Sequence, residues 1–184
     1  GLPEDSTTAA FYRGILLEKS NWQKAIAYYQ SVIEAEDDFV EAYYRTGALI
    51  IHHDLLEEAE MMLESALKLD GEHYRALTAM GRLALVKGEL EKAEEYLLKA
   101  LSLNSMYYEA SLLLSKILMD QGEIEESCYL SEKADKTAPN TPEYHLERAS
   151  IYIQQLDLSN AVQSYAKAIT AGLQDEEVMK RIVS

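Results

Sequence analysis

Apolar residues recur every three or four positions between Tyr74 and Ser105, and Gly88 interrupts the pattern. This spacing predicts two amphipathic α-helices, and the glycine suits a tight turn between them. Small residues occupy the positions where packed helices come closest; they are Gly81, Ala93 and Ala100. Large residues fill the space around them; they are Leu77, Leu90 and Leu97. We therefore predict that this stretch folds as a pair of antiparallel helices.

The helix-pair pattern repeats at an interval of 34 residues. Steps of this length from Ala93 reach Ala25, Ala59, Ser127 and Ala161. Steps from Gly81 reach Arg13, Gly47, Ser115 and Ala149. Gly14 is one residue out of this phase and is expected to weaken the first helix. Five copies without an insertion predict an array of stacked units, because one helix pair cannot bury its apolar face alone.

These residues resemble the tetratricopeptide repeat (TPR), which has a small residue in its first helix. Its second helix carries Ala, then an aromatic residue or Leu, then Ala, spaced four and three apart. The resemblance implies an all-α fold, a right-handed α-solenoid of stacked antiparallel helix pairs. We expect a disordered leader over residues 1–6 and a single array over residues 7–173. The repeats are expected at about 6–39, 40–73, 74–107, 108–141 and 142–173.

The periodicity and the turn residues predict ten helices within the array. The expected bounds are Thr7–Lys19, Trp22–Ala35, Val40–His53, Leu55–Lys68, His73–Lys87, Glu89–Ser102, Tyr107–Gln121, Glu123–Lys136, Pro142–Gln155 and Leu158–Ala171. Thr141 and Pro142 form the clearest start signal, a capping side chain followed by proline at the first helical position. A partial capping helix at residues 174–184 would place Val178 and Ile182 over the last pair.

Charge limits the possible partners. The chain has 32 acidic and 17 basic residues, a formal charge of −15. Such a surface repels phosphate backbones, so we expect neither nucleic acid nor anionic membranes as partners. A single cysteine, Cys128, excludes an internal disulfide framework and is expected to be structural.

The compartment follows less directly. No apolar run approaches the roughly 18 residues of a membrane span, so we expect a soluble chain without direct membrane insertion. The sequence starts at Gly1 without an initiator methionine and stops within what looks like a sixth unit. We interpret it as an excised fragment. The cytoplasm is the favoured location, and the periplasm is the alternative.

Catalysis has no support in the sequence. His52, His53 and Asp54, with His73, are the only metal-like grouping, but adjacent helical residues point about 100° apart. No His-Glu-x-x-His spacing, glycine-rich phosphate loop or nucleophile elbow is present. We therefore expect no cofactor, no metal and no enzymatic activity.

The resemblance implies that the first helices line a concave groove that holds an extended peptide or a helix. The groove positions predicted from the resemblance are Tyr44, Ile51, Arg75, Thr78, Arg82, Leu85, Leu112, Lys116, Met119 and Ile153, with Ala10, Gly14 and Leu17 in the first unit. Many are apolar, as binding surfaces often are. In the alternative reading, some of them close against a neighbouring helix or a continuation of the parent chain.

Arg82 and Lys116 occupy equivalent places on adjacent units of an acidic chain, with Arg75 nearby. We therefore predict a partner with apolar anchors and acidic groups. Chaperone C-terminal tails are a poor fit, because four of the five clamp positions carry the wrong residue. Those positions hold Ala10, Gly14, Ala48 and Thr78, and only Arg82 agrees.

The predicted function is that of a protein–protein interaction scaffold. One alternative is the adaptor portion of a larger enzyme or of a secretion or assembly machine. A second alternative is a self-assembling module that stacks end to end through the apolar face around Val178 and Ile182.

Overall fold

A computed structural model describes residues 6–172, and this part of the chain contains ten α-helices and no strand. The helices are α1 Thr7–Leu17, α2 Trp22–Ala35, α3 Val40–Ile51, α4 Leu56–Leu69, α5 Tyr74–Lys87, α6 Leu90–Leu103, α7 Tyr108–Gln121, α8 Ile124–Asp135, α9 Pro142–Gln154 and α10 Leu158–Thr170. Every bound lies within two residues of the prediction. The predicted fold class, an all-α helical-repeat solenoid, is confirmed.

Contacts divide the chain into two compact units, Gly1–Leu103 and Asn104–Ser184, called unit 1 and unit 2 below. Unit 1 contains the helix pairs α1–α2, α3–α4 and α5–α6, and unit 2 contains α7–α8 and α9–α10. The single continuous array stays a prediction. The capping helix at residues 174–184 lies outside the described residues, as does the leader except for Ser6, whose hydroxyl caps α1.

Glycine permits the close approach of helices within a pair. A Cβ atom added to Gly81 would lie 2.8 Å from Cγ of Leu97, and one added to Gly47 would lie 2.7 Å from Cγ of Leu63. Both leucine side chains are fully buried. The small-residue column predicted from the repeat therefore lies at the contact between the two helices of a pair.

The predicted phase of this column is wrong in the first repeat. A Cβ atom on Gly14 would lie 2.5 Å from the Tyr29 ring, whereas Arg13 is exposed. Gly14 therefore occupies the small-residue position and supports the packing of α1 on α2. The turn between these helices is one residue shorter than the others, because α1 ends with a right-handed Glu18 and Asn21 immediately caps α2.

Adjacent pairs in unit 1 pack through equivalent positions. Leu49 of α3 packs against a cluster that contains Tyr29 of α2. Leu83 of α5, which is 34 residues later in the sequence, packs with Leu63 of α4. Each later first helix therefore covers the second helix of the pair before it, in agreement with the predicted stacking of repeats.

Four of the turns within pairs place one residue in the left-handed region. Gly88 and Gly122 have φ of 76° and 85°, and Asp54 and Leu156 have φ of 58° and 60°. Glycine enters this region without a steric penalty, whereas a residue with a Cβ atom is strained there by about 1–2 kcal/mol. Leu156 is also 85% exposed, so its side chain recovers little of this energy by packing.

Replacing Leu156 with glycine should therefore stabilise unit 2. We expect a gain of about 0.5 kcal/mol, since the relief of strain is partly offset by the greater freedom of glycine in the unfolded chain. Urea unfolding followed by circular dichroism measures the change. The reverse substitution at the equivalent turn, Gly122→Leu, should cost about 1 kcal/mol, because nothing lies within 4 Å of an added Cβ atom and only the backbone is strained. A loss of stability in Leu156→Gly would contradict this account.

Candidate interaction surface

The ten predicted groove residues differ in accessibility. Three are buried: Ile51, Thr78 and Leu112. Six are partly buried: Tyr44, Arg75, Arg82 and Leu85 in unit 1, and Lys116 and Met119 in unit 2. Ile153 of unit 2 is 43% exposed. The accessible candidates in unit 1 therefore lie on α3 and α5, which pack against each other.

The buried three belong to the core. Ile51 packs in a cluster with Leu63 and Leu83. The hydroxyl of Thr78 donates a hydrogen bond of 2.9 Å to the backbone carbonyl of Tyr74. Leu112 packs in a cluster of unit 2. These positions follow the alternative reading in which some groove residues close against neighbouring helices.

A pocket of about 300 Å³ lies between the end of α1 and the face of α3. Its lining residues are Glu18, Lys19, Tyr44, Arg45, Ala48, Leu49 and His52. Tyr44 and Ala48 were expected on the groove from the sequence, whereas Glu18 and Lys19 were missed. Once Gly14 is aligned with Gly47, Glu18 and Lys19 become equivalent to positions 51 and 52 and fall on the same face.

A polar ladder connects the first helices of unit 1. Nη1 of Arg45 donates to Oε1 of Glu18 at 3.0 Å, and its Nε donates to Oε1 of Glu41 at 3.2 Å. The hydroxyl of Tyr29 donates to the same Oε1 of Glu18 at 2.5 Å. Burial and the adjacent Glu18 carboxylate together raise the pKa of Tyr29. Arg45 therefore ties α1 to α3 along one edge of the pocket.

Glu41 continues the ladder from α3 to α5. Its carboxylate lies 3.1 Å from Nε2 of His73 and 3.4 Å from Nη1 of Arg75. Burial alone would raise the pKa of Glu41, but the His73 hydrogen bond and the charges of Arg45 and Arg75 outweigh it and lower this pKa. Arg75 is thus engaged within the protein, although its side chain stays 43% exposed.

His73 also shapes the start of α5. Its Nδ1 accepts a hydrogen bond of 3.1 Å from the backbone amide of Ala76 and so caps the helix. A ring nitrogen that accepts carries no proton, so the proton of the neutral ring lies on Nε2 and is donated to Glu41. The chemistry of His73 is that of a helix cap and a link between repeats.

A second ionic cluster lies in unit 2 and was missed by sequence reasoning. The guanidinium of Arg148, only 2% exposed, donates to both carboxylate oxygens of Asp135 at 2.9 Å. It also donates to the hydroxyl of Tyr152 at 2.8 Å, and Tyr144 donates to Asp135. Among the described residues, no acceptor reaches the buried Nη1 atom of Arg148. This cluster joins α8 to α9.

The histidines near the second turn have a packing role. The ring of His53 stacks on that of Trp22 at 3.9 Å between centroids, and the planes are inclined by 16°. Over residues 6–172, no group of three or more His, Cys, Asp or Glu side chains has the arrangement of a metal site. Within the same residues, no helix combines the length and apolar composition needed to cross a membrane.

Sequence comparison identifies the repeats. Models of the tetratricopeptide repeat match residues 15–71, 54–107 and 78–135, and a further model with the same description matches residues 142–171. No curated protein is similar enough in sequence to count as a relative.

Structure comparison finds the same fold in proteins of low identity. TTC0263, a thermophilic TPR protein of Thermus thermophilus, is 18% identical, with 96% of each chain covered and a TM-score of 0.82. A tetratricopeptide repeat protein from Parabacteroides merdae is 19% identical over 95% of this chain and 69% of that chain, with a TM-score of 0.77. YrrB, described as a TPR protein with an unusual peptide-binding site, is 20% identical over 98% of this chain and 94% of that chain, with a TM-score of 0.57.

These matches cover most of the described residues and agree with the helix pairs, the glycine column and the inter-repeat packing. Folds of this kind generally serve as scaffolds for protein–protein interaction, and their members are typically not enzymes. The chain belongs to the tetratricopeptide repeat family.

Proposed function

We propose that the chain is an interaction scaffold that holds a peptide or a helix against the first helices of unit 1. The observation that carries this proposal is the pocket between α1 and α3. We call its accessible wall, together with Arg82 and Leu85 of α5, the first-helix face. Its apolar part comes from Tyr44, Ala48, Leu49 and Leu85.

The first-helix face has a local charge unlike that of the whole chain. Lys19 and Arg45 at the pocket face one carboxylate, Glu18, which already accepts from Arg45 and Tyr29. Arg82 adds a further cation on α5. The chain as a whole carries a charge of −15. An acidic partner would therefore be attracted to this face and repelled by the rest of the surface.

The ligand chemistry follows from these walls. One apolar side chain would enter the pocket beside Tyr44, and carboxylates on either side would lie near Lys19 and Arg82. The printed description of YrrB as a peptide-binding TPR protein supports a peptide as the type of ligand. Lys116 and Met119 of α7 are partly buried in unit 2, and we propose them as an additional contact that can be tested by itself.

Peptides selected from a random display library against the purified chain test this function. We expect the selected sequences to combine an apolar residue with Asp or Glu. Lys19→Glu and Arg82→Glu should each weaken binding by about tenfold in fluorescence anisotropy, since each replaces an attraction with a repulsion. Affinity for the wild-type chain should also fall as salt increases. Lys116→Glu reports on unit 2 separately.

The matched control is Lys99→Glu, which makes the same charge change at an exposed position of α6. It should leave affinity within about twofold of wild type, because a distant surface charge is screened. Circular dichroism checks that every variant keeps its helix content. Equal losses in Lys99→Glu and Lys19→Glu would show only a general charge effect and would contradict the proposal.

A further inference from the structure

The first helix of unit 1 exposes large apolar side chains. Leu16 of α1 is 80% exposed and Tyr12 is 55% exposed. They lie four residues apart and therefore on one face of the helix. With Gly14 aligned to Gly47, Leu16 is equivalent to Leu49, which packs on the cluster of α2. The exposed face of α1 thus has the side chains that a first helix uses to cover the preceding pair.

The last described helix exposes a second apolar stripe. Leu158 and Val162 are each 66% exposed, and Ile169 is 41% exposed. Spacings of four and seven residues place them along one side of α10. Its opposite side, with Ala161 and Ala168, is buried.

The repeat interval shows what this stripe does elsewhere in the chain. The residues equivalent to Leu158, Val162 and Ile169 in earlier second helices are Leu56, Ile26 and Leu67. All three pack against the core cluster that contains Leu83 of α5. The stripe on α10 is therefore the half of the inter-repeat contact that receives a following first helix.

The two exposed faces are complementary halves of one established interface. We propose that α1 of one copy packs on α10 of a second copy, in head-to-tail order, as α3 packs on α2 and α5 packs on α4 within unit 1. The occupant is a second copy because each copy carries both halves of a contact that the chain already forms internally. Such a contact uses different surfaces on the two partners, so it adds further copies until a ring closes or a filament grows.

Two charge-bearing variants separate this arrangement from others. Leu16→Glu removes only the face on α1, and Val162→Glu removes only the face on α10. Sedimentation velocity of the 184-residue chain should show wild-type species that grow with concentration, whereas each variant alone stays a monomer. An equimolar mixture of the two variants should form dimers and nothing larger, because each variant supplies the one face that the other lacks.

Both positions are exposed, so the substitutions leave the core of each unit unchanged. Met61→Glu serves as the control, since Met61 is an exposed apolar residue of α4 with 55% of its surface accessible. It should associate like wild type. A wild-type chain that is monomeric at every concentration would overturn the proposal, as would occur if residues after Gly172 covered the stripe. A symmetric dimer through α10 would also overturn it, because Leu16→Glu would then have no effect and the mixture would not complement.

Discussion

Replacing Gly81 with valine should destabilise unit 1 by about 2–3 kcal/mol, near the upper range for overpacking. An added Cβ atom would lie 2.8 Å from Cγ of Leu97 and 3.3 Å from the backbone oxygen of Ala93. Leu97 is fully buried, and the backbone of α6 cannot retreat without breaking other contacts. The better helix propensity of valine recovers only about 0.4 kcal/mol. Urea unfolding followed by circular dichroism measures the loss.

Two companion variants show whether the cause is the close approach of α5 and α6. Gly71→Ala places its Cβ atom 3.6 Å from the backbone oxygen of Leu67, an ordinary contact, and should change stability by less than about 0.5 kcal/mol. The double variant Gly81→Val/Leu97→Ala should lose less stability than the sum of its single substitutions, because the smaller alanine makes room. Strict additivity would mean that the two side chains do not compete for the same space.

Asp135→Asn should destabilise unit 2 by about 3 kcal/mol, the lower limit for breaking a buried ion pair. The substitution leaves the guanidinium of Arg148 buried beside a neutral amide that cannot balance its charge. We choose the lower limit because the Asp135 side chain is 42% exposed and water reaches it. Tyr144 would also lose a charged acceptor. The midpoint of urea unfolding reports the change.

Arg148→Met distinguishes a stranded charge from a lost contact. It removes the buried cation while filling similar space, and it leaves Asp135 partly exposed to water, so it should cost less than Asp135→Asn. If Arg148→Met costs more, packing of the arginine side chain outweighs the electrostatics. Asp120→Asn, at a position of α7 outside this cluster, should be close to neutral.

The pH dependence of stability gives a second readout for this pair. Burial alone would raise the pKa of Asp135, but the hydrogen bonds from Arg148 and Tyr144 outweigh it and lower this pKa. A carboxyl with a lowered pKa in the folded state stabilises the protein above its unfolded pKa and loses that effect as the pH falls through the folded value. Asp135→Asn should therefore flatten the acid side of the stability profile.

Local periodicity explains why the helices were predictable within two residues. Apolar spacing, capping residues such as Thr141 and turn glycines act over a few positions, and each recurs in several copies. The hydroxyl of Thr141 accepts from the amide of Tyr144 as expected for a cap. Gly14 shows the limit of this method. A turn shortened by one residue is invisible to a fixed step of 34, so the first helix was assigned the wrong phase.

The candidate surface was less predictable because accessibility depends on neighbouring helices. Thr78 and Leu112 occupy groove positions by their place in the repeat, yet tertiary packing buries both. The pairing of Asp135 with Arg148 joins residues 13 apart on different helices, and no local spacing indicates it. The pocket residues Glu18 and Lys19 were recoverable only after the register of Gly14 had been corrected.

The bonds of His73 make fraying of α5 a shared property of two repeats. The cap on the Ala76 amide requires an imidazole held in one orientation, and Glu41 of the preceding repeat holds it there. When α3 opens, the ring loses its anchor, and the first turn of α5 loses an ordered capping group. When α5 frays, Glu41 in turn loses a donor. Local opening in this part of unit 1 is therefore cooperative across the repeat boundary, and hydrogen exchange at the start of α5 would follow the opening of its neighbour.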